Sequence, residues 1–140
     1  FDPYPGSSNS IEAGKARTTG MVPTMLFREG KPAIVVGAPG GSVIISAVLQ
    51  AIINIVDFGM SPVEAVTVPR IHCEGAALHA EARVQGSVCR ELAAMGHRID
   101  QSAVSFDPVM SRAHVVEIDA KGRWRGGADP RGGGGVALAR

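Results

Sequence analysis

The sequence is poor in aromatic side chains and in unbalanced charge. Phe, Trp and Tyr make up 4% of its 140 residues, and 14 Lys and Arg residues face 13 Asp and Glu residues, for a net charge of +1. A nucleic-acid-binding surface usually concentrates basic residues and adds aromatic rings for stacking. The basic residues here are scattered along the chain, so we expect no nucleic-acid partner.

Cysteines and long apolar runs are also scarce. Two cysteines, Cys73 and Cys89, could pair, but they define neither a disulfide framework nor a metal cluster, and their redox state stays open. The longest apolar stretch, residues 43–56, is broken by polar residues and is shorter than the ~20 residues of a membrane span. We therefore expect no membrane segment.

The beginning of the chain lacks the marks of a secretory signal, because residues 1–16 have neither a basic start nor an apolar run. They are rich in Pro, Gly, Ser and Asn, which predicts an irregular loop and suggests a truncated protein. The remaining composition, 45% hydrophobic and 19% charged, is typical of a globular domain with a buried core. We divide the chain into a loop (1–20), a core (21–131) and a Gly-rich tail (132–140).

The first part of the core predicts a β-hairpin followed by a buried helix. Residues 21–27 and 32–37 are apolar and strand-like, and we expect the second strand to be buried on both faces and Pro23 to lie at an edge or strand start. A helix over 42–58 carries one narrow polar stripe, so it should be sandwiched inside the protein and stop at Gly59.

The second part predicts two shorter helices and a final pair of strands. Ser61, Pro62 and Glu64 combine an N-cap, a helix-starting proline and a capping box, in a helix that ends before Pro69. A third helix over 87–95 should end at Gly96, and strands are expected over 113–118 and 123–126. Strands and helices in blocks favour helices stacked on a sheet in several layers.

A glycine-rich turn, residues 38–42, joins the buried strand to the buried helix. Backbone amides at a helix N-terminus, uncovered by side chains at Gly40 and Gly41, can point at an anion or a developing oxyanion. The turn lacks the Gly-Lys-Ser/Thr ending of a P-loop and breaks the Gly-x-Gly-x-x-Gly fingerprint. The alternative interpretation is a tight turn that needs small residues only for structural reasons.

Five motifs in order resemble the gamma-glutamyltranspeptidase family. They are Met21-Val22-Pro23-Thr24, the segment from Val36 to Ser42 with Leu49-Gln50, the segment from Asp57 to Ala65, Pro69-Arg70-Ile71-His72, and Gly127-Ala128-Asp129-Pro130-Arg131. The resemblance covers nearly the whole chain. It implies an α+β fold, the αββα four-layer sandwich of N-terminal-nucleophile hydrolases, present here as a partial domain from the C-terminal part of the small catalytic subunit.

The resemblance also implies a mechanism. In the family, a precursor cleaves itself and exposes a threonine that is both nucleophile and, through its free amine, its own base. It attacks a γ-glutamyl amide such as glutathione and passes the acyl group to water or an amino acid. The family nucleophile lies upstream of this chain, and Phe1 cannot replace it. We therefore expect the isolated chain to be inactive and the rest of the precursor to be its partner.

The resemblance assigns roles to two pairs of residues. Gly40 and Gly41 match the glycines that supply the oxyanion hole. Thr19 and Gly20 match two hydroxyl residues that contact the α-carboxylate end of the substrate. Gly20 departs from that pattern, and Thr18 beside Thr19 offers an alternative hydroxyl pair.

Other candidate sites are less specific. The spacing of His72, Cys73 and His79 fits no standard zinc pattern, and we expect neither a metal nor a cofactor. A triad of Ser105, Asp107 and His114 is conceivable, although most chains of this size contain such a set. Residues 129–131 predict a structural turn whose Asp and Arg fix the C-terminal part.

The leading hypothesis is thus the oxyanion-hole portion of a γ-glutamyl acyltransferase or hydrolase. A β-lactam acylase or a polyglutamate depolymerase of the same superfamily, or a non-catalytic remnant of the fold, remain alternatives. Family resemblance favours a periplasmic or secreted protein, and a cytoplasmic one stays open. An apolar patch left by missing layers makes a homo-oligomer possible.

Overall fold

The computed structural model describes Asp2 and residues 4–138. Phe1 and Pro3 of the predicted loop and the last two residues of the predicted tail therefore lie outside the described residues. Within the described part, the elements follow in the order β1 Thr24–Arg28, β2 Lys31–Gly37, α1 Val43–Val56, α2 Pro62–Thr67, β3 Ile71–Cys73, β4 Leu78–Ala80, α3 Gly86–Ala94, β5 Ile99–Gln101, a 3-10 turn Pro108–Met110, β6 His114–Ile118 and β7 Trp124–Gly127.

The main sheet has four antiparallel strands in the order β1-β2-β6-β7. β1 and β2 form the predicted hairpin around Glu29 and Gly30. Pro23 lies directly before β1, which is an edge strand, so its missing N–H interrupts no ladder, as predicted. Val36 pairs with Val115 and brings the end of β2 beside the start of β6.

One face of this sheet carries the core. Ile34, Val36 and Val115 are buried there together with Ile44 and Val48 of α1 and residues of α2. The opposite face is mostly exposed: its side chains include Met25, Val35, Val116 and Trp124, and Val136 lies over Gly126. The prediction that β2 is buried on both faces is therefore wrong for this chain. Val35 is exposed between the buried residues Ile34 and Val36, because helices cover only one side of the sheet.

Helix α1 uses its polar stripe to attach neighbouring segments. The Ser46 hydroxyl lies 2.8 Å from Nδ1 of His72, Gln50 bonds both backbone groups of Ile71, and the Asn54 amide donates to the carbonyl of Ala65 at 3.2 Å. A second side of the helix stays exposed in this chain, namely Ile45, Leu49 and Val56. The predicted sequestration of the helix is thus incomplete here, and the apolar patch expected of a partial domain is present.

Local signals fix the ends of the shorter helices. At α2, Ser61 and Glu64 form the predicted capping box: the Glu64 carboxylate accepts from Ser61 N at 2.8 Å, and Glu64 N donates to the Ser61 hydroxyl at 3.4 Å. α3 is followed by Gly96, close to the predicted stop. A small sheet of order β3-β4-β5 lies beside α1, and this sheet was not predicted.

No helix within the described residues is both long enough and apolar enough to cross a bilayer.

Candidate active site

The glycine-rich turn between β2 and α1 presents its backbone amides openly. Gly40 and Gly41 both have positive φ angles, 137° and 67°, which favour glycine. None of the amides from Gly40 to Val43 donates a backbone hydrogen bond to a described residue. Gly40 and Gly41 are exposed. Unpaired N–H groups at the positive end of a helix can bind an anion or a developing negative charge.

The two glycines have different surroundings. A Cβ added at Gly40 would lie 3.0 Å from Oγ and 3.1 Å from Cβ of Ser111, so this position is packed. A Cβ at Gly41 would meet no described atom within 4 Å and would project into open space. Gly41 therefore borders the space that a ligand could occupy, whereas Gly40 is held against the protein.

The predicted substrate-binding pair lies beside this turn. A Cβ at Gly20 would be 2.9 Å from the carbonyl oxygen of Gly41 and 3.3 Å from Cα of Ser42. The Thr19 hydroxyl accepts a hydrogen bond from Met21 N at 3.1 Å, and Thr19 is exposed. The structure thus brings Gly20 and Gly41 together across 21 positions of sequence, and Gly20 has its own packing reason to be a glycine.

A residue that the sequence did not single out supports the turn from behind. The Ser111 hydroxyl donates to the carbonyl oxygen of Pro39 at 2.6 Å. Ser111 is 1% exposed and has a φ of 66°, a left-handed conformation that is uncommon for a residue other than glycine. The local sequence could not predict this contact, because Pro39 and Ser111 are 72 positions apart.

Ser111 is itself fixed by a buried ion cluster, which we define as Arg70, Glu81, Asp129 and Arg131. Arg70 donates to the carbonyls of Met110 and Ser111, both at 3.2 Å. Arg70 also pairs with Asp129 at 2.6 Å, and Arg131 pairs with Glu81 at 2.6 Å. Each of the four residues is at most 3% exposed. Within these four residues two positive and two negative charges balance, and the partly exposed Arg83 adds a contact to Glu81 at 3.3 Å, so that each buried charge has an oppositely charged partner, as burial requires.

The cluster also anchors the backbone of neighbouring segments. Arg131 donates to the carbonyls of Val66 and Val68 at 2.7 and 2.8 Å, and Asp129 accepts from Ala113 N at 2.7 Å. The end of α2, the start of β6 and the turn after β7 are therefore joined at one point. This geometry agrees with the structural turn predicted for residues 129–131.

Electrostatics favour the ionised forms of the carboxylates in the cluster. Burial alone would raise the pKa of Glu81, but hydrogen bonds from Arg131 and from the amides of Arg70 and Asp107 lower it below its ordinary value. Burial likewise opposes ionisation of Asp129, and the Arg131 amide and the Arg70 charge lower its pKa. Burial would lower the pKa of Arg131, yet its bonds to Glu81 raise it. Burial and the charge of Arg131 lower the pKa of Arg70.

The two histidines considered for zinc each contact a carboxylate. His72 and His79 are direct neighbours across β3 and β4. Nε2 of His72 lies 3.1 Å from Glu74, and Nδ1 of His79 lies 2.9 Å from Asp100. Across Asp2 and residues 4–138, no group of three or more His, Cys, Asp or Glu side chains is arranged to hold a metal ion.

A cavity of about 690 Å³ lies next to these histidines and the start of α1. Its lining includes Ser42, His72, Glu74, His79 and Asp107. The pKa of Glu74 is below its ordinary value because Ser42 and His72 stabilise its charged form through hydrogen bonds. The lining thus combines these polar side chains with apolar ones, among them Ala76, Val109 and Met110.

The conceivable triad is not assembled. The Asp107 carboxylate accepts from the Ser102 hydroxyl at 2.7 Å and from Val109 N at 3.0 Å, where it caps the 3-10 turn. His114 lies in β6, in register with Gly37. Among the described residues, no hydrogen bond connects Ser105, Asp107 and His114 into a relay.

The layered α+β fold, with helices on one face of an antiparallel sheet, places the chain among the N-terminal-nucleophile hydrolases, whose αββα sandwich it represents in part. The family model for gamma-glutamyltranspeptidase matches residues 1–139. The chain belongs to the gamma-glutamyltranspeptidase family, as the sequence motifs predicted.

Curated relatives include both hydrolases and acylases. The chain is 40% identical over 116 residues to an acylase ACY 1 proenzyme of Pseudomonas sp. (strain V22), which covers 77% of this chain and 21% of that protein. It is 37% identical over 131 residues to a glutathione hydrolase proenzyme of Bacillus subtilis (strain 168), covering 92% of this chain and 22% of that protein. The chain thus spans about a fifth of the length of these relatives.

A solved structure shows the same fold. The T380A mutant of Helicobacter pylori gamma-glutamyltranspeptidase superimposes with a TM-score of 0.80 at 36% identity, over 91% of this chain and 69% of that chain.

Proposed function

We propose that this chain is the oxyanion-hole-bearing portion of an acyltransferase or hydrolase that acts on glutathione-like γ-glutamyl amides. The observation that carries the proposal is the pair of open amides at Gly40 and Gly41, placed at the N-terminus of α1. The nucleophilic threonine comes from another part of the precursor. The placement of this segment in the C-terminal part of the small subunit stays a prediction of the sequence resemblance.

The turn takes part in the reaction when negative charge develops on the carbonyl oxygen of the substrate. The threonine hydroxyl attacks the γ-carbonyl carbon and gives its proton to the threonine amine, and the carbonyl oxygen becomes an oxyanion. The Gly40 and Gly41 amides donate to that oxyanion, and the helix dipole adds a favourable field. The intermediate collapses as the C–N bond breaks, and the leaving amine takes the proton. Water or an amino acid then accepts the acyl group from the threonine ester.

An acylase for a different acyl group is the second candidate. It is supported by the 40% identity to an acylase proenzyme and by Gly20, which lacks the hydroxyl expected for a γ-glutamyl site. The ratio of kcat/KM for a γ-glutamyl anilide to that for a β-lactam side-chain amide separates the candidates. A ratio well above one favours the γ-glutamyl assignment, and a ratio well below one favours the acylase.

The decisive variant is Gly41→Ala in the complete, processed protein. Displacing one donor should lower kcat on the order of 10²-fold. Gly59→Ala is a matched control: its φ is 66° against 67° at Gly41, and an added Cβ meets no described atom within 4 Å at either position. Both variants should therefore be destabilised equally by backbone strain, but only Gly41→Ala should have a lower kcat. Equal kcat per folded molecule in the two would remove the assignment.

The isolated 140-residue chain should release no product from a γ-glutamyl anilide, because it holds no activated threonine. A chromogenic assay against buffer measures this. Activity that stays with the chain through purification to constant specific activity would show that another residue supplies the nucleophile.

A further inference from the structure

The peptide between Pro39 and Gly40 has two polar groups that serve opposite sides of the turn. Its carbonyl belongs to Pro39 and its N–H belongs to Gly40. The chain has no cis peptide bonds among its described residues, and in a trans peptide the C=O and N–H vectors point in opposite directions. Whatever holds the Pro39 carbonyl therefore decides where the Gly40 amide points.

Ser111 holds that carbonyl. Its hydroxyl donates to the Pro39 oxygen at 2.6 Å, on the protein side of the turn. The Gly40 amide consequently faces away from Ser111, toward solvent, and it has no acceptor among the described residues. A rotation of this peptide by half a turn would direct the amide inward and place a carbonyl oxygen where an oxyanion donor is needed.

The position of Ser111 is firmly determined. Arg70 binds its carbonyl and that of Met110, and Asp129 and Arg131 complete the ion cluster behind it. Side-chain packing adds to this, since Ser111 fills the space where a Cβ of Gly40 would be. The hydroxyl is thus delivered to Pro39 from a rigid, buried support.

We infer that Ser111 is a positioning residue that keeps the Gly40 amide turned toward the reacting carbonyl, through its hydrogen bond to Pro39. This inference rests on the proposed oxyanion role of the turn. Ser111 itself does not touch the substrate. Its loss should therefore leave ground-state binding of the acyl donor unchanged and weaken only the stabilisation that develops in the transition state.

The test uses Ser111→Gly and Ser111→Ala in the complete, processed protein, with concentrations counted by active-site titration. Ser111→Gly removes the hydroxyl while easing the φ of 66°, so that folding is protected where Ser111→Ala fails. Each variant that folds should lose about tenfold in kcat, since one neutral hydrogen bond limits how far the peptide population shifts. KM for a γ-glutamyl anilide, under conditions where it reports binding, should stay unchanged.

A matched control removes another hydroxyl that donates to a backbone carbonyl at the same distance. Thr67→Ala breaks a 2.6 Å bond to the carbonyl of Val63 within α2, away from the turn and the cavity, and its kcat should equal that of the parent. Crystal structures of the Ser111 variants provide a direct readout, with the Pro39 carbonyl expected in both orientations or reversed. A purely structural role would instead lower the melting temperature and leave kcat per titrated site and the peptide orientation unchanged.

The outcomes separate this inference from the proposed function. Unchanged kcat in Ser111→Gly together with a large loss in Gly41→Ala would overturn the role of Ser111 and leave the oxyanion turn in place. Unchanged kcat in both would overturn the proposed function itself. A loss that appears in KM rather than kcat would also contradict the inference.

Discussion

The ion cluster and the glycine-rich turn are neighbours with opposite ways of treating polar groups. In the cluster, Arg131 alone makes five hydrogen bonds to carboxylates and carbonyls at 3.0 Å or less. In the turn, the amides of Gly40 and Gly41 have no acceptor among the described residues. The polar groups of the cluster are satisfied by protein partners, whereas the amides of the turn face solvent. Ser111 connects them.

The contrast between the cluster and the turn indicates that different residues determine the stability of the chain and its proposed function. Unpaired donors are tolerated in the turn because it is exposed and water can solvate them, whereas a buried arginine needs every partner. Substitutions in the cluster should therefore act on folding, and substitutions in the turn should act on catalysis. The following predictions test that division, from the largest expected effect to the smallest.

Arg131→Ala should produce the largest loss of stability. It leaves Glu81 and Asp129 buried with one positive partner fewer, which typically costs about 3–5 kcal/mol. Urea unfolding of the chain, followed by circular dichroism, measures the change. Arg123→Ala serves as the control because it removes an exposed arginine from its pair with Asp119, and its effect should be far smaller. Similar losses of unfolding free energy in both variants would show that the cluster contributes no more to stability than an exposed ion pair does.

Gly20→Ser should harm the protein although it restores the hydroxyl of the family pattern. The new Cβ would meet backbone atoms of Gly41 and Ser42, which cannot move away cheaply. Overpacking of this kind costs about 1–3 kcal/mol and should also lower kcat by displacing the Gly41 carbonyl. The control is Gly133→Ser, where an added Cβ meets no described atom within 4 Å.

Melting temperature and kcat/KM for a γ-glutamyl anilide are measured on both variants. A rise in kcat/KM for Gly20→Ser would contradict this prediction, and would show that the turn can shift to admit the side chain.

The stability of the chain should fall in acid because of the cluster carboxylates. The folded-state pKa values of Glu81 and Asp129 are below their ordinary values of 4.5 and 3.8, so the unfolded chain binds protons more readily. Their contribution is complete above those ordinary values and disappears as the pH falls through the lower folded-state values. Urea midpoints between pH 7 and pH 3 measure it, and Glu81→Gln should flatten the acid limb of the curve. An equally steep curve in that variant would contradict the assignment.

The exposed stripe on α1 should cause weak self-association of the isolated chain. Ile45, Leu49 and Val56 are each more than half exposed. Leu49→Lys should shift sedimentation toward the monomer, while Val109→Lys, at an exposed apolar site on another element, should not. A parent chain that remains monomeric at every concentration tested would contradict the prediction.

Local signals made much of the fold predictable. Ser61, Pro62 and Glu64 lie within four residues and specify the start of α2 through contacts that they make with each other. The polar stripe of α1 was visible because its residues recur at helical spacing. The burial of β2 was misjudged because an apolar run does not reveal how many faces are covered, and Val35 turned out to be exposed.

Long-range contacts explain what the sequence did not disclose. Ser111 is a lone serine after a short turn, and its role depends on a partner 72 positions earlier. Arg131 was expected to fix the C-terminal part, but its partner Glu81 lies 50 positions earlier and by itself resembles an ordinary surface residue. The glycines at 40 and 41 were identified by type and motif, but which of them faces open space depends on Ser111. The proximity of Gly20 to Gly41 was likewise visible only in the folded structure.

The separation between Pro39 and Ser111 has a consequence for biosynthesis. A ribosome adds about 5–20 residues per second, so the turn waits on the order of 4–14 seconds for its supporting hydroxyl and longer for Arg131. During that interval the peptide of Gly40 can sample both orientations. The turn therefore reaches its final geometry late, after the strand and the helix that flank it have been synthesised. It can do so only once β6 and the segment after β7 are also complete.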